Sequence, residues 1–519
     1  CRHGAPLHRS LRKNAATPTR GFDALIGFFH KNMVSNGMLK ANKEGPEKME
    51  EIKNDTRGEL PNSRLIIASN RLPVVLKKID GKWEAEPGAG GLITALSPVL
   101  KQRGGLWIGW PGTQEASAQE LETALNHASH ESGFSLKPVA LTSKEIDKYY
   151  FGFSNEIIWP QFHDLPSRCN FDPTYWPYYQ EVNRKFAQVI QDQVVGNDYI
   201  WIHDYHLMSS ARQLRNLGTD GEIGFFLHIP FPPPDIFMKL PWRKQLLDDL
   251  LHYDLIGFQT MRDRRNFFQC VHAIMKNLPV HTKGQIAVLR VDGRNVKVGA
   301  FPISIDFDEF RSLASSRKVA DRAWHIHERV PKAQIILGVD RLDYTKGIPE
   351  RLKAFRNALQ RYPELIEKVV LVQVVVPSRH EIPEYRALKR EIERLVSEIN
   401  GQFTRFGWVP IHYLFRSLER SELAAYYRTA EIALITPLKD GMNLIAKEYC
   451  ASSLEENCVL ILSEFAGAAS QMRKGALIVN PYDQEGMADA IYTAFKMPAH
   501  ERSERMKRLR ASIKKRDIY

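Results

Sequence analysis

From residue 64 to about residue 480 the chain repeats one rhythm. A short apolar run gives way to a polar break rich in Gly, Asp, His or Arg, and then to a longer stretch with apolar residues on a helical period. The apolar runs lie at 64–69, 106–110, 199–203, 223–227, 255–258, 296–301, 334–339, 368–376, 432–435, 459–463 and 476–479. The run 368–376 is almost unbroken in its β-branched residues, as expected of a strand buried on both faces of a parallel sheet. Helical patterns follow at 92–101 and 443–451, among others. Strands alternating with helices in this way predict an α/β fold of two doubly wound units facing each other across a deep cleft, with ligands at the carboxyl ends of the strands. Pro302-Ile-Ser-Ile-Asp-Phe307 reads as the linker between them. The expected order is a poorly ordered N-terminal extension (1–62), an N-terminal unit (63–305), a C-terminal unit (306–485) and a C-terminal helical segment (486–519). The last segment stops in the middle of a basic helical pattern, so a further helix is expected beyond Tyr519. The first residue is not Met, and Met33, Met38 or Met49 can each serve as the start.

The most informative stretch is Thr436-Pro-Leu-Lys-Asp-Gly-Met-Asn-Leu-Ile-Ala-Lys-Glu448, a strand end, a turn and a helix start. The turn carries Asp440, a glycine and several backbone N–H groups that the helix leaves unpaired. A helix N-terminus of this kind favours an anion. Glu448 lies eight residues after Asp440, about one turn inside the helix, and suits sugar hydroxyls better than a phosphate, which it would repel. The stretch therefore fits a sugar attached to a phosphate; an ordinary βα turn capped by Asp440 is the plainer alternative.

Other strand ends carry matching chemistry. The run 334–339 leads into Asp340-Arg-Leu-Asp-Tyr-Thr-Lys-Gly347, where Arg341 and Lys346 offer fork and point-charge clamps for phosphate, unless Arg341 merely pairs with Asp343. The first strand ends in Asn70-Arg71, and Pro87-Gly-Ala-Gly-Gly-Leu92 sets three glycines before a helix, where backbone can approach a ligand closely. Residues 149–163 are dense in aromatic side chains, suited to core packing and, with Tyr and Trp beside Asn and His, to a sugar platform. Two successive strands end in His203-Asp-Tyr-His206 and in His228, which suggests one shared crevice. The same His and Asp residues are formal metal ligands, but no HExxH or comparable spacing accompanies them.

Composition narrows the class. At 519 residues, 43% apolar and 25% charged, the chain builds two to four domains with sizeable cores. Its five cysteines are scattered without a CxxC pair, which fits a reducing compartment better than a disulfide framework or a zinc site. The net charge of +12 is concentrated at the ends: residues 1–62 carry 11 Lys/Arg against 7 Asp/Glu, and residues 501–519 carry 8 against 3, leaving +3 on the 438 residues between. That body is nearly neutral and has no basic, aromatic-interleaved stripe, so nucleic acid is not an expected partner. No run approaches the roughly 18 apolar residues of a membrane span, and no signal-peptide layout is present.

The set Ser69-Asn-Arg71, Gly90-Gly-Leu92, Tyr150…Trp159, His203-Asp-Tyr-His206, Leu227-His-Ile-Pro-Phe-Pro232, Arg341-Leu-Asp-Tyr-Thr-Lys-Gly347 and Lys439-Asp-Gly-Met-Asn-Leu444…Glu448 resembles, in type and order, glycosyltransferase family 20. This is the family of trehalose-6-phosphate synthases, retaining glucosyltransferases with the GT-B fold of two Rossmann-like domains, and the resemblance runs from about residue 63 to the chain end. It implies transfer of glucose from UDP-glucose to glucose 6-phosphate. Arg341 and Lys346 would hold the diphosphate, assisted by the backbone of Gly441, Met442, Asn443, Leu444 and Ile445, while Gly91 lets the N-terminal loop close over it. Glu448 would bind the ribose, Asp440 and His228 the donor glucose, and Asp204 would stand at the reacting centre. Arg71, Tyr150, Trp159 and Arg379 would grip the acceptor through its phosphate. The resemblance further implies same-face attack with no metal or other cofactor, a cytoplasmic location, and either self-assembly or a complex with a trehalose-phosphatase subunit. A transferase with another phosphorylated acceptor, such as glycerol 3-phosphate, and a catalytically silent regulatory subunit are the competing readings. The second should have lost charges from the diphosphate clamp, and Arg341, Lys346, Asp440 and Glu448 are all present.

Overall fold

The computed structural model describes residues 64–518, apart from 89–90, 276–277, 285, 331 and 380–381. The predicted N-terminal extension, with its three candidate start methionines, and Gly90 of the glycine loop lie outside the described residues.

The expected alternation of strands and helices builds two sheets. From edge to edge the first runs Ser135–Pro138, Leu106–Trp110, Leu65–Arg71, Tyr199–His203, Ile223–Leu227, Leu255–Phe258, Arg294–Ala300, Ile286–Val291 and Val280–Lys283. All neighbours pair parallel except at the last two junctions, which are antiparallel. A separate antiparallel hairpin, Val74–Ile79 with Lys82–Pro87, stands off this sheet. The second sheet is parallel throughout: Ile411–Phe415, Val369–Val376, Gln334–Arg341, Ile432–Ile435, Val459–Ser463 and Leu477–Val479. In each sheet the chain winds outward one way from its first strand and then the other. The order therefore reverses between Leu65–Arg71 and Tyr199–His203, and again between Gln334–Arg341 and Ile432–Ile435. The crevice outside such a reversal is the ligand site of doubly wound sheets.

Sequence explains why the second reversal holds its shape. Val369–Val376 is buried along nearly its whole length, and its one polar residue, Gln373, meets Arg351. The Arg351 side chain has no exposed surface; it donates to Asp340 at 2.6 Å and to Thr436 Oγ1 at 3.1 Å. One guanidinium thus ties together the two strand ends that open the crevice, and removing it would leave Asp340 as an unpaired buried charge.

Residues 301–306 connect the strand Arg294–Ala300 of the first sheet to the helix Phe307–Ser315. Ile303 N–H donates to Gln259 Oε1, and the Ile303 carbonyl accepts the Lys447 ammonium at 2.8 Å. Two helices, Gln484–Lys496 and Ala499–Lys514, close the chain. The second of them buries Met506, Leu509 and Ile513, and beyond it the N–H of buried Ile518 donates to the Ile305 carbonyl. Among the described residues no helix is long and apolar enough to cross a membrane.

Candidate active site

The donor side is built on the turn after Ile432–Ile435. Asn443, at φ 61°, caps the helix Leu444–Ser452 by accepting from Ala446 N–H. This begins the helix at Leu444 and Ile445, whose N–H groups, as in the first turn of any helix, have no partner within the helix. Asp440 folds the preceding turn: Oδ1 accepts from Met442 N–H at 3.0 Å, and Oδ2 accepts from Lys346 Nζ at 2.6 Å and from Asn443. Burial alone would raise the Asp440 carboxyl; the Lys346 ammonium and Met442 N–H outweigh it and hold the group below the usual carboxylate range. Arg341 stands half exposed beside this pair, its guanidinium 3.9 Å from buried Asp343. Glu448, half-buried, accepts from Tyr427 at 2.8 Å, and burial pushes its carboxyl up.

Gly441 lies tight against the opposite unit. A Cβ there would stand 2.2 Å from the carbonyl oxygen of His228, so no other residue lets these loops meet. On the same seam a Cβ at Gly91 would lie 3.2 Å from the Leu444 side chain. Lys439 forms an ion pair with Asp164, and Arg168 lies over the Tyr344 ring at 4.9 Å.

The acceptor side gathers arginines and rings. Arg71 lies 4.1 Å over the Trp110 ring and 5.9 Å from that of Tyr150, a placement that requires Gly112, because a Cβ at that residue would overlap the guanidinium. Arg379, although in the second unit, reaches the first: it sits 4.4 Å over Trp159 and donates to Tyr205 and Tyr385 hydroxyls at 3.2 and 2.8 Å. It holds a positive φ of 45°, a strain usually kept for function. The local field is strongly positive. Burial would raise the Tyr150 phenol, yet Arg379 and Arg71 outweigh burial and lower it. Burial pushes the neighbouring His206 imidazole well down, and the two arginines push it further. Indole nitrogens of Trp110 and Trp159 are buried without a partner.

Between the two sides, at the first reversal, Asp204 adopts φ 73° and ψ 169°, backbone that few residues other than glycine accept. Burial raises its carboxyl to about 6, against opposing hydrogen bonds from the backbone N–H groups of Tyr205, His228 and Ile229. His228 is 3.0 Å from His203 through one ring nitrogen and 3.3 Å from Met442 Sδ through the other. Among the described residues no three His, Cys, Asp or Glu side chains converge as a metal ion would require.

Contacts thus bring Arg71 to Tyr150, Trp159 to Arg379, Asp204 to His228 and Lys346 to Asp440, whereas Glu448 meets Tyr427 on its own unit. Sequence reasoning did not single out Trp110, Tyr205 or Tyr385, and it met Asp343 only as an alternative partner of Arg341 and His163 only within the aromatic stretch. Trp110 ends the strand beside Arg71, a neighbour that only the strand order reveals. Asp343, with 1% of its side chain exposed, lies 3.8 Å from Arg379 and 3.9 Å from Arg341, so one carboxylate stands between donor and acceptor arginines; no spacing announces that. His163 packs on Trp159 at 4.3 Å, and burial lowers its imidazole to about 4.

A family model described as glycosyltransferase family 20 matches residues 63–519. The chain is 42% identical over 447 residues to alpha,alpha-trehalose-phosphate synthase [UDP-forming] A of Dictyostelium discoideum, covering 86% of this chain but only 59% of that longer protein. It is 41% identical to alpha,alpha-trehalose-phosphate synthase [UDP-forming] of Candida albicans, covering 87% of this chain and 94% of that one. Among solved structures, the Burkholderia xenovorans alpha,alpha-trehalose-phosphate synthase in complex with glucose-6-phosphate superposes with a TM-score of 0.79 at 35% identity, over 88% of this chain and 97% of that one. An E. coli trehalose-6-phosphate structure bound with UDP-2-fluoro glucose gives 0.77 at 35% identity, over 88% and 96%.

Proposed function

The chain belongs to glycosyltransferase family 20, and on that footing we propose that it is a retaining glucosyltransferase of GT-B fold. It moves glucose from UDP-glucose to glucose 6-phosphate, giving trehalose 6-phosphate and UDP, as the names of its relatives and of their ligand complexes support. What supports this reading is two groupings of cationic side chains of different construction, which we read as two anion sites. One joins Arg341 and Lys346 to a helix N-terminus and a sugar-binding carboxylate, as a nucleotide diphosphate sugar requires. The other pairs Arg71 with Arg379 over Trp110, Tyr150 and Trp159, as a sugar phosphate requires.

The chemistry follows from what each group is free to do. Double displacement needs a carboxylate nucleophile and an acid/base partner about 5 Å away. Both oxygens of Asp440 are already engaged by Lys346, Asn443 and Met442, which favours holding the donor glucose over attacking it. In the proposed route the acceptor hydroxyl attacks from the face the diphosphate leaves, and the departing phosphate takes its proton. Arg341, Lys346 and the N–H groups at Leu444 and Ile445 stabilise the charge growing on the diphosphate. Asp204 orients the acceptor hydroxyl, His228 and Asp440 hold the donor glucose, and Glu448 binds the ribose. Residues 63–305 then form the acceptor half, 306–485 the nucleotide-sugar half, and 486–519 a helical buttress. No metal or other cofactor enters this scheme. We place the protein in the cytoplasm, where its four described cysteines would stay free as they are here. Because the product is a phosphorylated sugar, self-assembly or a complex with a phosphatase subunit belongs to the same proposal.

UDP release from UDP-glucose, followed with and without glucose 6-phosphate in the wild type and in Arg341→Ala, tests the reading. Release that requires glucose 6-phosphate and collapses in the variant supports it. Release with glycerol 3-phosphate instead would reassign the acceptor, and a folded wild type that binds UDP-glucose without turnover would make the chain a regulatory subunit.

A further inference from the structure

The cleft contains a buried histidine to which the scheme above gives no work. His203 ends the strand Tyr199–His203 with no exposed surface, packed on Trp201 at 4.5 Å between ring centroids. Its Nδ1 lies 3.0 Å from Nε2 of His228, while its own Nε2 is sealed from solvent with no hydrogen-bond partner. The other nitrogen of His228, Nδ1, faces Met442 on the donor loop of the opposite wall. We infer that His203 is a positioning residue that fixes the tautomer of His228, so that His228 presents an N–H, a hydrogen-bond donor, to the donor sugar.

The argument counts protons. Burial pushes both imidazoles down, His228 to about 3 and His203 well below its ordinary value, so each is neutral and carries one N–H. The 3.0 Å contact between the rings needs one proton. If it belongs to His228 Nε2, then His203 Nδ1 must accept, and the proton of His203 is forced onto its Nε2, an N–H buried with nothing to receive it. If it belongs to His203 Nδ1, only a bare lone pair is buried there. The second arrangement is favoured, since a buried donor without an acceptor is the rarer and costlier orphan. It leaves His228 Nε2 accepting, and so places the His228 proton on Nδ1, toward Met442 Sδ, a weak acceptor that a sugar oxygen would readily displace. His228 then donates to a donor-sugar oxygen and cannot take a proton from it.

The inference rests on the reading that donor glucose lies against His228, but its first test does not. Nitrogen-15 NMR of histidine-labelled wild type, with the His228 signals identified by their loss in His228→Asn, is expected to show Nδ1 protonated and Nε2 bare. Protonation at Nε2 overturns the inference, whatever the activity. Kinetics supply the second test. His203→Leu removes the donor at nearly constant shape, whereas His203→Asn sets an amide N–H where Nδ1 was. Loss of about tenfold in kcat/KM for UDP-glucose is expected in His203→Leu, with recovery in His203→Asn and unchanged affinity for UDP alone. Equal losses in both variants, or a parallel loss of UDP affinity, would reduce His203 to a packing residue.

Discussion

Lys346→Ala separates the clamp's electrostatics from its architecture. The ammonium and the Asp440 carboxylate meet at 2.6 Å with 12% of each side chain exposed. Breaking a buried ion pair by removing one partner costs about 3–5 kcal/mol. This pair lies on a cleft wall, where water can enter the vacated space, and about 2–3 kcal/mol is the more apt figure. For a unit of this size that lowers Tm by roughly 5–10 °C at pH 7. The pH dependence gives the sharper check. Asp440 is depressed in the folded protein, so the pair contributes stability above the unfolded carboxylate value of about 3.9, and that stability is lost as pH falls through the folded pKa. In the variant burial goes largely unopposed, the folded pKa rises above the unfolded one, and neutral pH becomes the destabilising condition. The Tm gap between wild type and variant should therefore be widest near pH 7 and shrink toward pH 4, as read by thermal scans. Adding Asp440→Asn to Lys346→Ala should recover most of the stability and none of the activity. A gap that stays constant from pH 7 to pH 4 would refute the reasoning.

Gly441→Ala puts a methyl 2.2 Å from the His228 carbonyl, and the loops must part. Overpacking of about 1–3 kcal/mol predicts a fall of about 5- to 150-fold in kcat/KM for UDP-glucose, with little change in Tm because the loss falls on the approach of the two loops. Arg71→Ala should raise KM for glucose 6-phosphate about 10- to 100-fold, the worth of a charged hydrogen bond, and leave KM for UDP-glucose within about threefold. Arg351→Ala, which orphans Asp340 beneath the second reversal, should cost about 3–5 kcal/mol in chemical denaturation. Exhaustive chelation should leave turnover unchanged; loss restored by a divalent cation would show that the arginine, lysine and helix N-terminus do not suffice.

Much of this architecture was legible because central parallel strands advertise themselves. Val369–Val376 and Ile432–Ile435 are buried along nearly their whole length, almost entirely with apolar residues. Strands with one wet face did not announce themselves in this way. Lys82–Pro87 reads Lys-Trp-Glu-Ala-Glu-Pro, and Val280–Lys283 pairs only at the sheet's outer edge, so neighbours rather than local pattern decide that they are strands. The aromatic stretch hid its form for another reason. Residues Ile146–Ile158 wind as a π-helix, whose wider turn does not follow the 3.6-residue period. Within it Tyr149, Phe153 and Ile157 are buried while Tyr150 faces Arg71. That stretch thus supplies core and, at Tyr150, a ring beside an arginine. In the site, charged residues beside glycines were readable one at a time. Asp343 between two arginines, and His203 behind His228, exist only as relations between strands.

The central claim is transfer with retention onto a phosphorylated glucose. Its most direct test is proton and phosphorus NMR of the product formed from UDP-glucose and glucose 6-phosphate. An α,α-linked, phosphorylated disaccharide accumulating in step with UDP is the predicted result. A β-linked product, or UDP appearing with free glucose and unaltered glucose 6-phosphate, would contradict it.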